Sequence, residues 1–196
     1  MLLTPRRHPR TETSEPECRQ RRRLLGGLAG SAALLHLPVA QANIRPLFGR
    51  ELKFDNLHTG EKLSTTYWAE GQYVSTSLAD INHLLRDFRT GEVHPIDPTL
   101  LDLLHLLQQK AGNANPFQII SGYRSPKTNA QLRSASSGVA KKSLHMQGRA
   151  LDIRLPGTPL KDLHRLACDA KVGGVGLYTG SNFVHIDTGR VRYWGS

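Results

Sequence analysis

Ser143-Leu-His145-Met-Gln-Gly148-Arg-Ala150-Leu-Asp152 and, further on, Phe183-Val-His185-Ile-Asp187 bring imidazoles and carboxylates together from two separate segments. Residues of these types can hold a zinc ion through three protein atoms while a fourth coordination position stays open to water. A neutral imidazole beside a carboxylate suits zinc better than magnesium or calcium, which prefer oxygen-only shells. Zinc is therefore the expected cofactor. Read as a strand, the second segment puts residues 183, 185 and 187 on one face, so His185 and Asp187 project together while Val184 and Ile186 turn to the core. If the strand around Asp152 is its neighbour, Asp152, His185 and Asp187 line one groove and His145 enters it from a loop. Gly148 and Ala150, between His145 and Asp152, permit close backbone approach.

The elements that must position these residues can be read from period and punctuation. Glu51 to Ser75 alternates loosely between polar and apolar, with His58-Thr59-Gly60-Glu61 as a turn, and predicts a hairpin. Ser77 is the expected N-cap of a helix over Leu78 to Arg89, ended by Thr90-Gly91. Asp97-Pro98 opens a second helix whose leucines cover most of its surface, which predicts a central, buried position. Phe117 to Ser121 reads as a strand, and Gly122-Tyr123-Arg124-Ser125-Pro126 as the turn leaving it. A helix fragment and a loop then lead to His145. Ala150 to Leu155 is the next strand, and the helix around Cys168 follows. Strands at 173–178 and 183–187, joined at Thr179-Gly180-Ser181-Asn182, and a short one at 191–194 complete the series.

Composition narrows the function classes. The 196-residue chain carries a net charge of +10, which would ordinarily raise nucleic acid as a partner. Residues 1–42 hold seven arginines and three glutamates, and without them 19 basic face 13 acidic residues, a balance of +6. That balance is compatible with an anionic surface such as the bacterial cell wall, and no interleaving of aromatic and basic residues supports nucleic acid. Arg21-Arg22-Arg23-Leu24-Leu25, the small apolar stretch from Gly26 to Val39 and Ala40-Gln41-Ala42 read as a twin-arginine export signal with an A-x-A cleavage site. The stretch is shorter than the roughly 20 residues a membrane span needs. The expected product is a single domain over 43–196 with no stable membrane span. Cys168 would be the one cysteine of that domain, so no disulfide within it is expected, and its place on a helix is that of a small packed residue.

The runs Ser-x-His145-x-x-Gly-x-Ala-x-Asp152, Ser121-Gly-Tyr-Arg124-Ser125 and Phe-Val-His185-x-Asp187-x-Gly189 resemble the zinc D,D-peptidases of the M15 class, and above all the MepK-related, YcbK-like (DUF882) branch of periplasmic murein endopeptidases. The resemblance runs from about Phe54 to Trp194. It implies an α+β fold of the hedgehog/D,D-peptidase type, in which a small antiparallel sheet carries the metal and helices pack on one side. It makes His145, Asp152 and His185 the zinc ligands and Arg124 the group that holds substrate or meets developing negative charge. Many relatives place a Glu or Asp as general base three residues before the last histidine; here that residue is Asn182, which cannot accept a proton. Asp187 is the expected substitute, and its alternative role is to orient His185. The implied activity is zinc-dependent cleavage of peptide crosslinks in peptidoglycan by a periplasmic monomer whose partners are peptide stems. A binding module of the same fold that docks on the wall without cutting it is the other reading.

Overall fold

The computed structural model describes residues 49–136 and 138–195, so the expected export signal at 1–42 lies outside the described residues. The chain begins as the expected hairpin. Strand β1 (Arg50–Asn56) buries Leu52, Phe54 and Asn56 on one face and pairs antiparallel with β2 (Lys62–Ala69). In the turn between them Gly60 takes φ 71° and donates its N–H to the Asn56 carbonyl at 2.8 Å. Glu70 and Gly71, both with positive φ, turn the chain again into the short β3 (Gln72–Tyr73), as a type I′ turn requires.

Helix α1 (Ser75–Leu84) departs from expectation at both ends. Ser77 is not its cap but lies buried inside the helix, where its Oγ accepts from the Thr65 hydroxyl at 2.9 Å. The helix also stops well before Arg89, because tertiary partners take its last carbonyls: Asn56 Nδ2 donates to Leu84 O and Tyr123 N–H to Leu85 O, each at 2.8 Å. Helix α2 (Pro98–Ala111) forms as its punctuation predicts. Asp97 Oδ1 accepts from the Thr99 N–H at 2.9 Å, Pro98 occupies the first turn, and Gly112 closes the helix at φ 58°.

The rest follows as β4 (Phe117–Ser121), α3 (Pro126–Ala135), β5 (Ala150–Arg154), α4 (Leu160–Ala170), β6 (Gly174–Tyr178), β7 (Phe183–Asp187) and β8 (Arg192–Trp194). The architecture is α+β, but the expected small antiparallel sheet is instead one eight-stranded mixed sheet in the order β3-β2-β1-β4-β5-β7-β6-β8. Two of its pairings are parallel, β1 with β4 and β6 with β8. Alternation assigns a face to each residue but not a partner to each strand. The excursion through α1 and α2 is what lets β4 return beside β1 in the same direction.

A single hydrophobic cluster joins Leu52 and Phe54, the α2 leucines, Ile119, Leu151, Ile153, Val184 and Ile186, with Leu163 and Ala167 of α4 packed near β6 and β7. Each fully buried side chain of this size is worth about 1.5–3 kcal/mol relative to exposure. One face of β5 and β7 therefore supplies the driving force and leaves the other for polar groups. Cys168 is a free thiol, partly buried against the cluster. No helix among the described residues is long and apolar enough to cross a membrane.

Candidate metal centre and cleft

Antiparallel register places Asp152 of β5 directly opposite His185 of β7, on the face turned away from the cluster. His145 arrives on a 3-10 turn, Leu144–Gln147, which Gly148 closes at φ 64°. A Cβ on Gly148 would collide with the Pro95 carbonyl oxygen, and the Asp97 N–H donates to the Gly148 carbonyl at 2.9 Å. The glycine is thus what lets the turn lie flat against the segment before α2.

The donor atoms converge. His145 is buried, with Nδ1 at 2.8 Å from the Gly122 carbonyl oxygen. Its Nε2 lies 3.3 Å from His185 Nδ1 and 3.4 Å from Asp152 Oδ1, and His185 Nδ1 is 2.8 Å from that same oxygen. All three ligand atoms fall within 4.8 Å of one another. The opposite nitrogen of each ring is already engaged, His145 Nδ1 by Gly122 O and His185 Nε2 by Asp187 Oδ2 at 3.1 Å. One nitrogen of each imidazole therefore faces the Asp152 carboxylate, which is the donor set and orientation a three-ligand zinc site needs. Burial by itself would raise the Asp152 carboxyl, but the two histidines outweigh it and hold Asp152 well below the usual carboxylate range. His185 is shifted upward, because Asp152 and Asp187 overcome the opposing effect of burial.

Asp187 is fully buried and its oxygens are fully engaged. Oδ1 accepts from the N–H groups of Gly174 at 2.9 Å and Gly189 at 2.8 Å and from Arg192 Nη1 at 3.1 Å. Oδ2 faces Arg192 Nη2 at 2.7 Å as well as His185 Nε2. Burial opposes ionisation, yet these donors keep Asp187 well below its ordinary range. The carboxylate touches His185 on the ring edge opposite to the one that meets Asp152.

Sequence reasoning missed the wall formed by β8. Gly174 and Gly176 lie on the same face of β6, opposite Asp187 and His185 in the sheet, and their missing side chains leave a trough. Two side chains of β8 fill it. A Cβ on Gly174 would run into Arg192 Nη1, and one on Gly176 would sit 2.5 Å from Trp194 Cε2. Across the trough Arg192 reaches Asp187, and the Trp194 ring comes within 5.2 Å of the His185 ring. The signal was present as glycines with period two beside Arg192-x-Trp194, also with period two.

The converging site opens into a cleft of about 330 Å³, bordered by the loop after α3, Arg124, Tyr178, Phe183 and Trp194. Arg124 is one of its lining residues. Its Nη2 lies 3.3 Å from Ser121 Oγ and 3.9 Å from Asp152 Oδ2, while its buried Nε has no partner among the described residues. Asn182 occupies the tight connection at φ 53°, where its carbonyl receives Arg154 Nε, and it does not border the cleft. Of the other histidines, His58 stacks on Phe88 and His94 on Tyr123.

Comparison with known proteins agrees along nearly the whole described chain. The family model described as peptidoglycan L,D-endopeptidase MepK matches residues 47–194. Peptidoglycan L,D-endopeptidase MepK of Escherichia coli strain K12 is 46% identical over 176 residues, which is 89% of this chain and 96% of that protein. The probable peptidoglycan L,D-endopeptidase MepK of Haemophilus influenzae is 40% identical over 171 residues, 87% of this chain and 91% of its own. The crystal structure of Serratia marcescens L-Ala D-Glu endopeptidase ChiX overlaps at TM-score 0.33 and 17% identity, over 49% of this chain and 69% of that one, too little to define the fold. The family match takes in both motif segments and every residue of the converging site, and the chain belongs to the peptidoglycan L,D-endopeptidase MepK family.

Proposed function

We propose that this protein is a zinc-dependent endopeptidase that hydrolyses an L,D peptide bond in the crosslinks of peptidoglycan, working in the periplasm after twin-arginine export. The observation that carries the reading is the convergence of His145 Nε2, Asp152 Oδ1 and His185 Nδ1 beside an open cleft. The names of the relatives support the substrate class, and the sequence motifs support the M15, hedgehog/D,D-peptidase type of fold. Bound by those three residues, zinc would supply Lewis acidity toward the scissile carbonyl and a water whose pKa is lowered toward about 7.

The chain's own residues do the rest. Arg124 stays charged and borders the cleft, where its guanidinium meets an oxygen of the substrate as negative charge develops. In this reading Asp187 is a positioning residue rather than the proton acceptor, because each of its oxygens is already bound by several donors. It holds a proton on His185 Nε2 and so presents Nδ1 to the metal. Muropeptide profiling of purified sacculi tests the proposal. Crosslinks should disappear with zinc-loaded protein and persist after chelation or with His145→Ala. Crosslinks left intact by the zinc-loaded protein would favour a binding module instead.

A further inference from the structure

We propose that Tyr178 is a substrate-binding residue whose hydroxyl donates a hydrogen bond to an amide carbonyl oxygen of the peptide stem, and that Trp194 holds it in that orientation. The proposal deepens the reading of the cleft as a site for peptidoglycan stems. Tyr178 pairs with Phe183 across β6 and β7 and so lies on the same sheet face as His185. Its ring stacks on Phe183 at 4.6 Å, and it borders the cleft at 37% exposure. The Trp194 indole, seated over Gly176, places Nε1 2.9 Å from the Tyr178 oxygen.

The chemistry of that contact is one-directional. Indole N–H can only donate, so the phenol oxygen must accept, and the phenol proton is left for another partner. Among the described residues no acceptor takes it. A stacked ring and a committed lone pair leave the hydroxyl few orientations, which makes it a preorganised donor at the mouth of the metal site. The donor is neutral and suits a neutral carbonyl. Arg124 and Lys142, which border the same cleft, carry the charge that a substrate carboxylate would seek.

Binding of a soluble crosslinked stem peptide, measured calorimetrically in the His145→Ala background, separates this inference from the proposed hydrolysis. Adding Tyr178→Phe keeps the stack but removes the hydroxyl, and with it both the bond from Trp194 and the one to the substrate carbonyl; loss of the latter should weaken binding about 3- to 10-fold. In the otherwise native protein the same change should raise KM by that factor and leave kcat within about twofold. Trp194→Phe should weaken binding in the same direction. With Tyr178→Phe already present it should add little, since the group it orients is gone. Unchanged binding by the Tyr178→Phe protein, or fully additive effects of the two changes, overturns the inference. If Trp194→Phe fails to fold, the Tyr178→Phe comparison decides alone. A parent protein that binds the stem but cuts nothing refutes the proposed hydrolysis and leaves the test of Tyr178 standing; a parent that binds no stem peptide overturns the inference.

Discussion

Asp187→Asn discriminates between the two roles open to that carboxylate. Asparagine is nearly isosteric, so no cavity forms and the effect is one of donors and charge. With its amide oxygen in the Oδ1 position, the substituted side chain still accepts from Gly174 and Gly189. Its NH2 group then stands where Oδ2 was, facing Arg192 Nη2 at 2.7 Å and His185 Nε2 at 3.1 Å, donor against donor. Two charge-assisted hydrogen bonds are lost, each worth about 1.5–3 kcal/mol. Arg192 is 34% exposed in its side chain, so water recovers part of its share. A net destabilisation of about 2–4 kcal/mol follows, read as a lower urea midpoint of the metal-free protein at unchanged m. Because His185 loses the group that fixes its ring, zinc affinity should fall about 10- to 100-fold, measured by competition with a chromophoric chelator. A variant with native stability and native zinc affinity that nevertheless fails to turn over would refute the reasoning and mark Asp187 as the proton acceptor.

Two further outcomes are expected. Gly148→Ala should lower stability by more than about 1–3 kcal/mol, because the new Cβ collides with a backbone oxygen and φ 64° is unfavourable to alanine; a native melting temperature would contradict that assignment. Asp87 is held below the ordinary carboxylate range although burial opposes this, by donors that include the N–H groups of Ser125 at 2.8 Å and Arg89 at 3.0 Å. Its contribution is therefore complete above the unfolded pKa and is lost as pH falls through the lower folded one. Urea midpoints between about pH 2 and pH 7 should show Asp87→Asn less stable than the native protein at neutral pH, with the gap closing in acid; a gap independent of pH would show that the charge contributes nothing.

The convergence of His145, Asp152 and His185 was legible because much of its information is local. His145, Gly148 and Asp152 lie in one short run, and period two alone puts His185 and Asp187 on a common face. Helix α2 announced itself through Asp97 and Pro98, which act on their own neighbours. The end of α1 was hidden for the opposite reason: Asn56 and Tyr123, distant in sequence, claim the carbonyls that would have extended it. The same holds for the sheet. Nothing within β4 or β8 tells which strand it will run beside, or that the pairing will be parallel, and nothing within Asp187 shows that Arg192 will occupy it.

The bare stretch of β6 couples residues that are far apart in the chain. Space opposite His185 and Asp187 is a fixed quantity, and Trp194 and Arg192 use it only because positions 176 and 174 carry no side chain. A methyl gained at 176 must be matched by atoms given up at 194, and the same exchange links 174 to 192. Substitution at these four positions is thus constrained in pairs. A redesign of the cleft can widen or narrow this wall by moving volume from one strand to the other, without touching His145, Asp152 or His185.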